Sequence, residues 1–94
     1  MLSTKQKKYL KSEAHHLKAI FQIGKDGLSY NQITSISDAL EAHELIKIKL
    51  LETCPIDTHT AAIEITAQTK SEVVQIIGHT LVLFKQSEKR IYAL

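Results

Sequence analysis

The sequence predicts an α/β domain with the order α-β-α-β-α-β-β, in which three helices lie on one face of a four-stranded mixed sheet. Three observations lead to this order. Apolar residues recur at helical spacing in three segments, four other segments are apolar runs or alternate with lysine, and glycine or proline stands at several boundaries. Ninety-four residues are enough for one modest hydrophobic core, so we expect a single domain over residues 1–94.

Residues 3–16 are predicted to form the first helix because Leu10, Ala14 and Leu17 fall on one side of it. Lysines follow one edge of this apolar stripe, so the helix carries positive charge beside its buried side. The lysines of the edge are Lys7, Lys11 and, where the helix extends that far, Lys18, with Lys8 further round the helix.

Residues 19–23, AIFQI, form a short apolar run that ends at a glycine, and this pattern favours a strand. A second helix is predicted after the glycines. Ser29 and Gln32 fit a capping box, and Leu28 and Ile33 occupy the positions of a hydrophobic staple. The predicted core-facing stripe of this helix, at 3-4-3 spacing, consists of Ile33, Ile36, Leu40 and His43.

The segment 45–51, LIKIKLL, alternates apolar residues with lysines and predicts a strand with one buried face and one charged face. The charged face carries Lys47 and Lys49. A proline four residues after the segment marks the end of this strand.

Residues 57–70 fit two patterns, since Ile63 and Ile65 alternate as in a strand while other apolar positions follow a helical face. We favour a helix, with either residue of the initial Asp-Thr pair as its N-cap, because a strand would leave the neighbouring sheet half uncovered. Residues 72–86, EVVQIIGHTLVLFKQ, hold two apolar runs around a Gly-His pair and predict a hairpin.

The composition, 44% apolar and 23% charged, is ordinary for a water-soluble protein. No apolar run approaches the roughly 20 residues that a membrane-spanning helix needs. The basic segment at residues 1–16 has no apolar region after it, so no secretory signal is predicted. The single cysteine, Cys54, has no partner for an internal disulfide, and we expect a cytoplasmic protein without membrane contact.

Positive charge is concentrated in the first third of the chain. Residues 1–30 hold six lysines and two acids, a balance of +4, whereas residues 31–94 hold six cations and eight anions, a balance of −2. A lysine-rich helix exposed to solvent would produce the same count. A small domain with its positive charge at one end is also typical of proteins that bind a polyanion.

Five histidines raise the question of metal binding or acid–base catalysis, but none of them has the close spacing of metal ligands. His43-Glu44 begins like the zinc-protease motif H-E-x-x-H, and Lys47 stands where the second histidine is needed. Cys54 with a distant histidine is the remaining catalytic alternative, a small hydrolase, and it has no local signature. We therefore expect no enzyme, no metal and no cofactor.

The tetrapeptide at residues 24–27, Gly-Lys-Asp-Gly, stands between the first strand and the second helix. It lacks the further glycine or the Lys-Ser/Thr pair of nucleotide-binding loops, so a tight turn is one interpretation. The other is a clamp, because two glycines let a sugar–phosphate backbone approach and a helix N-terminus favours phosphate. Together with the lysines of the first helix and the second strand, this loop favours RNA binding.

Three longer segments, KQKKYLKSEAHHLKAIFQIGKDGL, ALEAHELIKIKLL and VVQIIGHTLVLFK, resemble the CRM domain family (chloroplast RNA splicing and ribosome maturation). The resemblance is strongest to the bacterial stand-alone YhbY-like proteins and extends from about Lys5 to Lys85. It implies a fold similar to the C-terminal domain of translation initiation factor three. Where the family often has an arginine after the hairpin glycine, this chain has His79, a weaker cation near neutral pH.

The resemblance also implies RNA binding through the glycine loop and association with ribosomal RNA in precursors of the large subunit. We expect a monomer that assists ribosome assembly. The residues that correspond to the family's binding loop and its basic neighbours are Gly24, Lys25, Asp26, Gly27, Lys7, Lys8, Lys11, Lys18, Lys47 and Lys49.

Aromatic stacking on RNA bases is a secondary expectation, since the chain has only five tyrosines and phenylalanines. The candidates are Tyr9, Tyr30 and Phe21, of which Phe21 fits the core equally well. The alternative function is a protein-interaction module that docks on a ribosomal protein or an assembly GTPase, with the lysines as a solvated face.

Overall fold

The structure, a computed structural model, describes residues 2–92 and 94 and confirms the predicted order of helices and strands. The bounds of the seven elements are α1 Thr4–Ala14, β1 Ala19–Ile23, α2 Tyr30–His43, β2 Leu45–Leu50, α3 Thr58–Thr69, β3 Glu72–Ile77 and β4 Thr80–Phe84. The ambiguous third segment is thus the helix α3. Its N-cap is Asp57, whose side chain accepts a hydrogen bond from the Thr60 N–H at 2.7 Å.

The four strands form one mixed sheet in the order β1-β2-β4-β3, which confirms the predicted sheet type. β1 runs parallel to its neighbour β2, while β4 pairs antiparallel with both β2 and β3. β3 and β4 are joined at Gly78-His79 as the expected hairpin, with Gly78 at φ 57°. The strands β2 and β4 therefore occupy the centre, and β1 and β3 are the edges.

The helices lie on both faces of this sheet, so the prediction that all three share one face is wrong. α2 and α3 pack on the face that contains Ile46, Ile48 and Leu83. α1 packs on the opposite face, where its Leu10 and Ala14 contact a second cluster of buried residues. The strand residues of that second cluster are Leu45, Val74, Val82 and Phe84.

The reason lies in the side-chain pattern of β4, in which four successive apolar residues alternate between the two faces. Leu81 and Leu83 enter the cluster under α2 and α3, while Val82 and Phe84 enter the cluster under α1. All four are buried. A strand that is apolar on both sides needs cover on both sides, and α1 supplies the second layer.

The ends of the first two helices differ from expectation in three details. At α1 the full capping box is made by Ser3 and Gln6, a pair that the sequence analysis did not single out. At α2 only half of the predicted box forms, because the Gln32 side chain donates to the Gln22 carbonyl of β1 at 3.1 Å. His43 ends α2 and is exposed, so it does not belong to the core stripe.

A buried glutamate fixes the segment that follows β4. Glu44, between α2 and β2, accepts hydrogen bonds from the Ser87 N–H at 2.6 Å, the Ser87 hydroxyl at 2.7 Å and the Tyr92 N–H at 2.9 Å. Burial alone would raise the pKa of Glu44, but the bonds from Ser87 and Tyr92 outweigh it and lower the pKa below its usual value. The ring of Tyr92 then packs edge-to-face on Phe84.

We predict that Glu44→Ala lowers the free energy of unfolding at pH 7 by roughly 2 kcal/mol, because it leaves partly buried N–H donors without an acceptor. Since the folded pKa of Glu44 is lowered, its stabilising contribution is complete above the unfolded pKa of about 4.3 and disappears as the pH falls through the folded value. Urea denaturation of both proteins between pH 7 and pH 3 measures this difference.

Glu41→Ala, three residues earlier in α2, is the matched control. Glu41 is exposed and lies 3.5 Å from the Lys85 ammonium, so its loss should change the unfolding free energy by less than about 0.5 kcal/mol. If both variants lost the same unfolding free energy, or if the loss for Glu44→Ala grew as the pH falls, Glu44 would not be the stabilising acceptor described here.

Candidate nucleic-acid interface

The Gly-Lys-Asp-Gly segment forms a tight turn directly after β1. The Gly27 N–H donates to the Gly24 carbonyl at 3.0 Å, which closes the turn, and Lys25 and Asp26 are exposed at its tip. Gly27 is buried and has φ 64°, a conformation that side chains disfavour. A Cβ on Gly27 would also stand 3.3 Å from Cγ of Pro55. The fold itself therefore favours glycine at position 27.

Gly24 is different, because nothing in the surrounding structure demands the absence of a side chain. Its φ is not in the left-handed region, and a Cβ there would meet Cδ1 of Leu51 at 3.6 Å and Oγ1 of Thr53 at 3.8 Å. Both distances are ordinary van der Waals contacts. A need for glycine at position 24 would thus come from outside the domain, from a molecule that approaches the turn.

The turn and the β3–β4 hairpin lie at the same end of the sheet. The Leu51 N–H donates to the Ile23 carbonyl at 2.9 Å, and the Leu50 N–H donates to the His79 carbonyl at 2.8 Å. The end of β2 therefore bridges the residue before Gly24 and the hairpin turn. His79 is exposed there.

A row of side chains crosses all four strands next to this end, on the face that α1 covers only in part. Gln22 of β1 pairs with Lys49 of β2, Lys49 pairs with Thr80 of β4, and Thr80 pairs with Ile77 of β3. The register and the side-chain alternation place this row on the face opposite α2 and α3. Lys49 and Gln22 are exposed in it.

The lysines of α1 border the same row. Gln6 lines a cleft with Glu72 and Phe84, at the far end of the sheet from the turn. On the helix, Lys7 and Lys11 lie on the other side of the buried residues from Gln6 and so face the row. We call these residues together the basic face; its members are Lys7, Lys11, Gln22, Gly24, Lys25, Lys49 and Thr80.

Two of the predicted lysines lie apart from the basic face, and a third is held in a hydrogen bond to the backbone. Lys8 projects from the solvent side of α1, away from the sheet. Lys18 precedes β1 and lines a cleft with Ile20 and Ile91, so a strand of about 13 Å separates it from the turn. The Lys47 ammonium is half-buried and donates to the Leu17 carbonyl at 3.0 Å.

Acidic side chains cluster elsewhere. Asp38, Glu41 and Glu88 line a cleft between α2 and the segment after β4, on the α2 side of the sheet. Glu41 is paired there with Lys85. The lysines of the basic face are therefore separated in space from this acidic cleft. The carboxylate that adjoins the basic face in sequence is that of Asp26, which is exposed beside Lys25.

Gln22 and Thr80 were not predicted from the sequence as members of the site. Neither carries charge, and their place beside Lys49 depends on the strand register, which one sequence does not specify. The only local signal was the alternation in the first strand, where Phe21 and Ile23 contact the core and leave Gln22 on the opposite face.

The structure also places the histidines and the cysteine that raised the question of metal binding or catalysis. Within residues 2–92 and 94, no three His, Cys, Asp or Glu side chains converge in a way that would hold a metal ion. Cys54 is partly exposed in a cleft of about 420 Å³ that His59 and His79 also line.

None of the helices in the described chain is long and apolar enough to cross a bilayer.

Comparison with known proteins identifies the family of the chain. The family model described as the CRS1 / YhbY (CRM) domain matches residues 2–85. The chain belongs to this family. The resemblance inferred from the three sequence segments is thereby confirmed. The matched residues include α1, the glycine turn, β2 and the hairpin, which are the parts of the chain that carry the basic face.

The relatives of this CRM domain are named for RNA binding. A Bacillus subtilis protein, "Probable RNA-binding protein YqeI", is 47% identical over 89 residues, which is 95% of this chain and 93% of the relative. A Haemophilus influenzae "RNA-binding protein" is 44% identical over 91 residues, which is 94% of this chain and 89% of the relative.

A solved structure shows the same fold. The solution structure of "the hypothetical protein SAV1595 from Staphylococcus aureus, a putative RNA binding protein" has a TM-score of 0.79 and 44% identity to this CRM domain. The match covers 94% of this chain and 92% of the other.

The two turn glycines of this CRM domain should respond differently to the same substitution. We predict that Gly27→Ala lowers the free energy of unfolding by about 1–2 kcal/mol, because alanine is strained at positive φ. Gly24→Ala should change it by less than about 0.5 kcal/mol, as for a surface site. Chemical denaturation of both variants measures the difference, and a Gly24→Ala loss as large as that of Gly27→Ala would contradict it.

Proposed function

We propose that the chain binds RNA through the basic face and, in doing so, assists assembly of the large ribosomal subunit. The observation that carries the proposal is Gly24, a glycine that the fold does not require, beside an exposed Lys25. Close approach of a sugar–phosphate backbone explains both residues, because such contact needs room at the turn and a cation near the phosphate.

The mechanism is capture of the RNA backbone. Gly24 lets the strand approach the turn, and Lys25 pairs with a phosphate. The first intrahelical bond of α2 begins at the Ile33 N–H, so the preceding N–H groups of Tyr30 and Asn31 are available to a phosphate oxygen. Lys49 on the sheet, with Lys7 and Lys11 on α1, extends the contact, while Gln22 and Thr80 offer neutral hydrogen bonds to sugars or bases.

Gly27 has a structural part in this proposal and Asp26 an indirect one. Gly27 holds the turn closed beneath the RNA, since it is buried against Pro55. Asp26 is exposed beside Lys25, so its carboxylate would repel a phosphate that approaches its side of the turn. Lys8, Lys18 and Lys47 act as longer-range cations rather than as direct partners, given their distance from the basic face or, for Lys47, its bond to Leu17.

The choice of ribosomal RNA rests on the family resemblance, since the relatives' names specify only RNA. We further propose a monomer that acts without catalysis in the cytoplasm, which agrees with a single cysteine and a site built from lysines, amides and glycines. A surface made for phosphates needs no reacting group, because its contacts are electrostatic and its specificity for sequence is low.

The charge contacts can be tested by reversing two members of the basic face. We predict that Lys11→Glu with Lys25→Glu lowers affinity for a ribosomal RNA fragment at least tenfold. It should also reduce the slope of log K against log salt by about 1.4, the counterion release of two phosphate contacts on a single strand. Fluorescence anisotropy at several salt concentrations measures both values.

The matched control is Lys5→Glu with Lys89→Glu, which makes the same change of charge. Lys5 lies on the other side of α1, beside Gln6 and Tyr9, and Lys89 borders the acidic cleft. This control should lose much less affinity for the RNA. Gly24→Ala, which changes no charge, should weaken RNA binding but leave the slope of log K against log salt unchanged. RNA binding that survives Lys11→Glu with Lys25→Glu at full strength and slope would favour the protein-interaction module instead.

The ribosomal partner can be identified in cells by ultraviolet crosslinking and sequencing of the bound RNA. We predict enrichment of large-subunit ribosomal RNA over messenger and transfer RNA, and loss of that enrichment in the Lys11→Glu, Lys25→Glu variant. Crosslinks dominated by other RNAs would leave RNA binding intact and remove the assembly role.

A further inference from the structure

The ring of Tyr30 lies almost fully in solvent, with 83% of the residue exposed, at the start of α2 just after the glycine turn. An aromatic ring at such a position adds nothing to the core and leaves apolar surface in water. We propose that Tyr30 stacks on an unpaired base of the bound RNA, so that the basic face takes single-stranded rather than duplex RNA. This inference rests on the proposed function and specifies its substrate.

Each of the other four tyrosines and phenylalanines either packs against other side chains or lies away from the basic face. Phe21 packs against the core beneath α2 and α3. Phe84 and Tyr92 contact each other edge-to-face with ring centroids 6.3 Å apart, on the α1 side of the sheet. Tyr9 lines a cleft with Lys5 and Gln6, on the side of α1 that faces away from the basic face. Tyr30 stands three residues after the glycine turn, whose Gly24 and Lys25 belong to the basic face. Among the tyrosines and phenylalanines it is thus the one that an RNA held at this turn can reach.

The backbone under Tyr30 is well held, which makes the residue suitable as a platform. The Ser29 side chain accepts from the Gln32 N–H at 3.1 Å, and the Thr34 hydroxyl donates to the Tyr30 carbonyl at 3.0 Å. The Gln32 side chain then donates to the Gln22 carbonyl, at 3.1 Å. Because Gln22 is a residue of the edge strand β1 whose side chain lies on the basic face, this bond to its backbone holds the start of α2 at the edge of the sheet next to that face.

The composition of the basic face explains why one stacking residue decides the class of RNA. The row on the sheet offers a lysine, an amide and a hydroxyl, which bind phosphates and sugars in single strands and duplexes alike. A base already stacked within a duplex has no free face for Tyr30, whereas an unpaired base next to a captured phosphate does. Stacking of this kind tolerates any base, since every base has a π-face.

The test compares Tyr30→Ala with the unchanged protein on a single-stranded 12-nucleotide RNA and on a duplex of the same sequence. We expect Tyr30→Ala to lose about tenfold in affinity for the single strand, within the range for one stacked base. The salt slope should not change, because no cation is removed. Affinity for the duplex should stay as it was, and Tyr30→Phe should bind the single strand as the unchanged protein does.

A direct signal of stacking is available because the chain contains no tryptophan. Tyr30→Trp introduces one fluorophore at the site, and its emission should be quenched by the single strand but not by an equally saturating duplex. Tyr9→Ala is the matched control, since it removes another partly exposed tyrosine, on α1, and should leave both affinities unchanged.

Each result decides between defined alternatives. Single-strand affinity that is equal in Tyr30→Ala and the unchanged protein, or a loss that is the same for duplex and single strand, overturns the stacking role. If that happens while Lys11→Glu with Lys25→Glu still lowers affinity at least tenfold, the proposed function stands and only the inference about Tyr30 fails. If the unchanged protein binds neither RNA, both fail.

Discussion

The arrangement of the whole domain depends on the burial of the central strands on both faces. β4 places two apolar side chains on each side of the sheet, and its partner β2 contributes Ile46 and Ile48 to one face and Leu45 to the other. Water must be excluded from both sides, which requires a three-layer structure. α1 therefore has a structural role besides carrying lysines, since its Leu10 and Ala14 complete one of the two cores.

This constraint also creates the candidate site. α1 is only 11 residues long and covers the part of its face near Leu45 and Phe84, so the opposite end of that face remains open. The open end is where the glycine turn and the hairpin meet. The residues of α1 that complete the core thus set the position of its lysines, and loss of α1 packing would disturb the fold and the candidate site together.

Local signals predicted the elements well, and the long-range arrangement less well. The Ser29 cap, the alternation around Lys47 and the Asp57 start of α3 each follow from residues close in sequence, and each is present. The face on which α1 packs and the pairing of Gln22 with Lys49 depend on contacts between distant segments. The half-formed box at Gln32 has the same cause, since a carbonyl of β1 competes for its side chain.

Gly24 and Gly27 should differ in how freely they can be replaced during evolution, because the fold disfavours a side chain only at position 27. A descendant that had lost the proposed RNA contact would still need to close the turn, and a side chain at position 27 would destabilise it. Position 24 has no such protection, because the domain accommodates a methyl group there. Among related chains with intact folds, the residue at position 24 would therefore report whether selection for a ligand at the turn still operates.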